Sequence, residues 1–275
     1  MILMSLLYAQ LAGAKDAAPW LQSHYSILTQ WAKFLTSESL VPAEQLSTDD
    51  FAGTLANQTN LAVKGIIGLG AMSKIAEMCG HKEDAATFHN TSTTYIKAWA
   101  NYAISEDGSH LKLAYQNDTS WSTTYNLFAD RLLNLELVPK SIYALQDKWY
   151  PQKMQKYGLP LDSRHTWAKS DWTMFAAAAS ATDDTKAKLV EGLYSWVSNG
   201  KTDSPLADLY STITGDTPKE PDEPLVRFLA RPVQGALLSF LARDKADKAN
   251  GVTNYQYAPE FAYGSQKQKR GIVFG

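Results

Sequence analysis

The residues best suited to chemistry fall in two places: Asp49 and Asp50, just before Phe51-Ala52-Gly53, and the run holding Asp162, Arg164, His165, Lys169 and Asp171. Carboxylates placed beside imidazole, ammonium and guanidinium groups can activate a water, return a proton to a leaving group and hold a charged substrate. Arg231 adds a second guanidinium able to grip a carboxylate through two parallel N–H donors. Each residue also has an ordinary structural reading. Asp171 follows Ser170 where an apolar helix begins, a position at which the helix dipole favours a carboxylate by about 0.3–1 kcal/mol. One of Asp49 and Asp50 could cap a short turn, and either arginine could serve an inter-loop ion pair. Asn126, Asp130 and Arg131 lie within an apolar helical segment, where internal pairing is the expected role.

Other chemistries find little to build on. His24, His81, His89, His110 and His165 form neither HxxxH nor HExxH, so no metal site is expected. The single cysteine, Cys79, excludes an internal disulfide and a thiolate cluster and reads as core packing. The glycines of GIIGLG (65–70) have the wrong spacing for a nucleotide fingerprint and follow a loop rather than a strand, so they read as helix packing; no cofactor is expected. With 26 basic and 28 acidic residues, net charge −2 and no long run of either sign, the chain has no electrostatic footprint for nucleic acid or an anionic membrane surface. A small-molecule partner fits better. Nothing approaches the ~18 continuous apolar residues of a membrane span.

The first residues imitate a secretory leader, with an apolar run and Ala12-Gly13-Ala14, but no Lys or Arg precedes the run. Met1, Met4, Leu7 and Leu11 fall at helical spacing instead, predicting a helix that packs on its neighbours through them. Asn57-Gln58-Thr59, Asn90-Thr91-Ser92 and Asn117-Asp118-Thr119 match the N-glycosylation pattern, a weak pointer to a secreted protein.

The elements that must position the candidate residues are helical. A stripe of Leu21, Tyr25, Leu28, Ala32 and Leu35 predicts an amphipathic helix over 20–35. Residues 61–78 are apolar nearly all round and predict a helix enclosed by protein, while 85–103 returns to a single stripe. The alternation continues with an enclosed segment over 125–135, a polar-faced helix over 141–149 stopped by Pro151, an enclosed helix over 171–180, a striped one over 186–197 and an enclosed one over 232–241. Leu111, Leu113 and Tyr115 alternate as a short strand would. Short turns alternate with long polar loops at 41–60, 104–120, 157–170 and 199–226. In an up-and-down array every second connection lies at the same end, so all four long loops share one face.

Four long segments on those loops carry a resemblance: LSTDDFAGTLANQTNLAVKGIIG (46–68), TYNLFADRLL (124–133), YGLPLDSRHTWAKSDWTMFAAA (157–178) and FLARPVQGALL (228–238). In content and order the sequence resembles the C-terminal helical domain of the fungal glutaminase A family, over roughly residues 1–243, with 244–275 left as an irregular tail. The resemblance implies an all-α, six-hairpin (α/α)6 toroid, as in several glycoside hydrolases, and hydrolysis of L-glutamine to L-glutamate and ammonia. It also implies an extracellular glycoprotein and a β-rich N-terminal part as intramolecular partner. The helices number fewer than a full ring requires, so an incomplete ring is expected, with the apolar flank of its first helix in water at about 25 cal/mol per Å². Instability or association would follow.

Amide hydrolysis needs an activated nucleophile, a stabilised oxyanion and a proton for the leaving amine. Asp162 and Asp171 are the first candidates, one as base toward water and the other binding ammonium or supplying a proton, with Asp50 a further catalytic candidate. Asp49, Arg164, His165, Lys169, Trp172 and Arg231 are candidate substrate contacts, and Trp121 and Trp167 could also line a pocket. Two alternatives stay open. Paired carboxylates in a helical toroid also suit a glycoside hydrolase, which would place them about 5.5 Å or ~6.5–9.5 Å apart; or the domain is a catalytically inactive remnant.

Overall fold

The computed structural model describes residues 1–47, 50–201, 205–217, 228–257 and 259–260, with Asp50 described in its backbone alone. Nine α-helices are present among them: α1 (Ile2–Ala12), α2 (Ala14–Glu38), α3 (Thr59–Met78), α4 (Lys82–Ala103), α5 (Phe128–Leu132), α6 (Lys140–Lys153), α7 (Ser170–Ala179), α8 (Asp183–Val197) and α9 (Ser239–Ala249). A 3-10 turn at Tyr125–Leu127 leads into α5 and another at Pro232–Leu238 leads into α9. The only sheet among the described residues pairs β1 (Trp167–Lys169) with β2 (Leu209–Ser211). No described helix is long and apolar enough to cross a membrane.

The two helix types separate as their patterns require. The inner elements α1, α3, α5, α7 and α9 contact one another in succession, and α9 returns to touch α1. The striped helices lie outside and turn their apolar faces inward: Leu21, Leu28 and Ala32 of α2 and Phe88, Ile96 and Trp99 of α4 are buried against α3. This all-α ring of hairpins is the toroid expected from the sequence. The long connections do collect together. Backbone hydrogen bonds join 41–60 to 104–124 (Tyr115 N to Asn57 O, 3.1 Å), 104–124 to 157–170 (Thr123 N to Leu161 O, 2.6 Å) and 157–170 to 199–217 (Tyr157 N to Thr212 O, 2.8 Å).

Glycines set how closely two of these layers approach. A Cβ on Gly65 of α3 would lie 2.4 Å from Ser39 Cβ, at the end of α2, whereas the nearest atom to one on Gly70 would be the tip of Leu137 at 3.3 Å. The close approach is therefore between an inner and an outer helix. Gly65→Ala is expected to cost about 1–3 kcal/mol of unfolding free energy, measured by urea denaturation, with Gly70→Ala much less affected because a leucine tip can turn aside.

Several local expectations are corrected. Helix α1 forms where expected but packs through Ile2, Ser5, Leu6 and Ala9, leaving Met1, Met4, Tyr8 and Leu11 exposed. A helix apolar on both sides does not say which side is covered. Pro151 does not stop α6, which runs on to Lys153; the carbonyl of Asp147, deprived of its helical donor, accepts from the Thr185 hydroxyl at 3.0 Å. Leu111, Leu113 and Tyr115 are buried in a loop held by isolated bridges rather than in a strand. The segment after Pro232 is not enclosed: Leu237, Leu238 and Leu241 are exposed, because no outer helix covers them among the described residues.

Asp130 and Arg131 have a structural role. Asp130 has no exposed surface, and its carboxylate accepts from Tyr143 Oη (2.8 Å), Tyr255 Oη (2.7 Å) and the backbone N–H groups of Leu137 and Val138. Burial pushes this carboxyl up, against those donors. The Arg131 guanidinium lies 4.2 Å from the Tyr255 ring centroid and donates to Tyr257 Oη, so the segment after α9 is strapped onto the α5–α6 hairpin. Asn126 pairs with Asn60, through its backbone N–H at 3.2 Å and its side-chain amide at 2.9 Å.

Candidate functional site

The β1–β2 pair brings two distant loops into one register. Lys169 stands opposite Leu209, and Ser170 N–H, at the start of α7, donates to the Asp208 carbonyl at 2.9 Å. Asp208 N–H in turn donates to Phe228 O. Gln234, in the turn before α9, accepts from Ser170 Oγ and donates to Ala207 O, closing the same junction from the other side. Three segments thus converge: 167–172, 207–211 and 228–234.

At their meeting point lies a buried chain of alternating charge. Lys169 Nζ is 3.0 Å from both carboxylate oxygens of Asp171 and 2.8 Å from Asp208 Oδ2, with 2% of its side chain exposed. Arg231 closes the chain by a two-pronged contact with Asp208, Nε to Oδ1 at 3.0 Å and a terminal nitrogen to Oδ2. Two carboxylates and two cations leave the cluster balanced, the condition under which buried charges are tolerated. The two carboxyls are driven apart. Burial, reinforced by the Asp208 charge, raises Asp171 above its ordinary value despite Lys169. Burial also pulls Asp208 upward, but the hydrogen bonds and charges of Arg231 and Lys169 together outweigh it and hold Asp208 below its ordinary value.

The remaining candidates form a second group. Asp162 spends both carboxylate oxygens on Arg164, which donates from Nε (3.1 Å), from its backbone N–H (2.8 Å) and from a terminal nitrogen (2.6 Å). Arg164 also donates to Ala52 O at 3.1 Å, tying this loop to the turn after Asp50. His165 is exposed and stacks on Trp167, with ring centroids 4.0 Å apart. The side chains of Asp49 and Asp50 lie outside the described residues.

Aromatic rings join the two groups. Phe51 lies 6.0 Å from Trp167, 6.2 Å from Trp172 and 5.7 Å from Phe228, measured between ring centroids. Trp172 stacks on Tyr125 at 4.5 Å and holds the Lys169 ammonium 4.1 Å from its own centroid, within range of a cation–π contact. Tyr125 and Trp172 also border a cavity of about 450 Å³ on the ring axis, walled by Leu3, Leu7, Phe128 and Phe175. Trp172 therefore stands between the axial cavity and the charged chain, while the Arg231 side chain, 37% exposed, reaches the surface.

Sequence reasoning brought Lys169, Asp171, Trp172 and Arg231 forward and missed Asp208, Phe228 and Gln234. The signal for Asp208 was a lone acid set among Leu206, Ala207, Leu209 and Tyr210. A carboxylate in so apolar a stretch must be buried and paired.

Residues 1–241 match the family model described as the glutaminase A six helical-hairpin domain. Over 243 residues the chain is 42% identical to a protein named glutaminase A from Aspergillus oryzae, an alignment covering 88% of this chain and 34% of that protein. It is 41% identical over 257 residues to a probable glutaminase from Arthroderma benhamiae, covering 84% of this chain and 29% of the relative. The chain thus spans roughly a third of the length of the curated relatives it matches.

Proposed function

We propose, from the premise that this chain belongs to the glutaminase A six helical-hairpin family, that its loop face takes part in hydrolysing L-glutamine to L-glutamate and ammonia. The observation that carries this reading is the buried Asp171–Lys169–Asp208–Arg231 chain, whose two carboxyls are shifted in opposite directions. Pairs of acids driven apart by their surroundings are a usual source of proton donors and acceptors at neutral pH. Water adds to the side-chain carboxamide carbon as the C–N bond breaks; Asp171, the raised carboxyl, gives its proton to the departing ammonia, and the proton released by the water restores it. Asp208 stays ionised and holds Lys169 and Arg231 in place. Arg231, at the exposed end of the chain, meets the substrate carboxylate. Asp162 acts through Arg164 to fix the loop, and with it His165 and Trp167 at the rim.

The exposed stripe of Met1, Met4, Tyr8 and Leu11, beside the additional length of the relatives, supports an intramolecular partner that packs on this stripe. The three sequons support a secretory route for the protein. The test is ammonia release from glutamine beside a panel of aryl glycosides, using this chain alone and a chimaera in which it replaces the aligned part of the Aspergillus oryzae glutaminase A. Ammonia from either, with no glycoside cleaved, is the expected result. Glycoside cleavage without ammonia, or activity in neither form, overturns the proposal.

A further inference from the structure

We propose that Asn117 is an N-glycosylation acceptor, and that of the three sequons it is the one this fold carries with a glycan. The inference rests on the secretory reading but not on the chemistry of the loop face. A glycan is bulky and hydrophilic, so an acceptor asparagine belongs on a surface loop. Asn117 and Thr119 are both exposed in the loop between α4 and α5, and Thr119 Oγ1 donates to Asn117 Oδ1 at 3.0 Å. A turn holds them there: Asn117 N–H donates to Ala114 O at 3.1 Å and Ser120 N–H to Asn117 O at 3.2 Å.

The other two sequons fail on different grounds. Asn57 is 9% exposed and Thr59 not at all. Asn57 is held in the left-handed region (φ 57°), its N–H donating to Pro42 O and its carbonyl accepting from Tyr115 N–H. A chain carrying a sugar on this side chain cannot close these contacts. Asn90 is exposed but sits in mid-helix on α4, where a residue two places on is turned by about 200°. Ser92 accordingly faces the core at 1% exposure, with its hydroxyl donating to His89 O at 2.9 Å. Amide and hydroxyl point to opposite sides.

The donor is an oligosaccharide linked to a polyprenyl diphosphate. The Asn117 amide nitrogen attacks the anomeric carbon and an N-glycosidic bond forms. The bond from that carbon to the diphosphate oxygen breaks, the polyprenyl diphosphate leaves with the electron pair, and the nitrogen gives up one proton to a base of the transferase.

The test is secretion of this chain from a eukaryotic host behind a cleavable leader, followed by peptide N-glycosidase in heavy-oxygen water and peptide mass spectrometry. The expected result is heavy-oxygen label at Asn117 alone, with the mobility shift on enzyme treatment lost in Asn117→Gln and Thr119→Ala but kept in Thr119→Ser, Asn57→Gln and Asn90→Gln. Label at Asn57 or Asn90, or no label at any sequon, overturns it. Circular dichroism of the secreted variants separates a lost glycan from a lost fold.

Discussion

Lys169→Met is expected to lower unfolding free energy by about 3–5 kcal/mol, the usual cost of stranding a buried charge. The ammonium it removes faces three carboxylate oxygens, and without it Asp171 loses the cation that faces it while Asp208 keeps Arg231. Urea unfolding at neutral pH measures the loss. The partner test is the double variant Lys169→Met/Asp171→Asn, which leaves the Asp208–Arg231 pair balanced and is expected to recover a large part of the loss. A double variant no more stable than Lys169→Met alone would mean that the cost came from packing against Trp172 and Phe228 rather than from charge.

Asp171→Asn by itself is expected to do the reverse: little change in stability, because Lys169 keeps Asp208, but a fall of about 10²–10⁴ in kcat for ammonia release. The loss should appear in kcat rather than KM, since a proton passed to the leaving amine matters only in the transition state. The two acids also give opposite pH signatures. A raised carboxyl binds its proton more tightly in the folded state, so the Asp171 contribution is most favourable at low pH and declines as pH rises through its folded value. Asp208 is held low, so its contribution is present above the ordinary carboxylate range and is lost as pH falls through its folded value. Asp171→Asn should therefore flatten the decline on the high-pH side and leave the acid limb set by Asp208 in place. An unchanged kcat, or an unchanged stability profile, would remove Asp171 from the proposed proton transfer.

What the sequence determined alone was local or a matter of chain parity. Stripes such as Leu21, Tyr25, Leu28 and Ala32 assigned the outer helices, because a helix with one apolar side has a single way to bury it. The alternation of short and long connections put the four loops at one end, because in an antiparallel array nothing else is possible. Lys169, Asp171, Trp172 and Arg231 were each legible as candidates through the motifs that hold them, with Asp171 matched to Asp162.

Tertiary structure decided whatever depends on a partner far along the chain. Pro151 should end a helix by the local rule, yet the Thr185 hydroxyl from the next hairpin relieves the bare Asp147 carbonyl and α6 continues. The covered side of α1 is set by α2 and α3, not by its own nearly uniform apolar sequence. Most of all, the second carboxylate of the charged chain is Asp208 rather than Asp162. Asp162 lies two residues from Arg164 and is taken by it, whereas Asp208 reaches Lys169 only because β2 pairs with β1. Strand register between loops so far apart follows from how the toroid's hairpins bring their ends together, and periodicity along the chain carries no record of it.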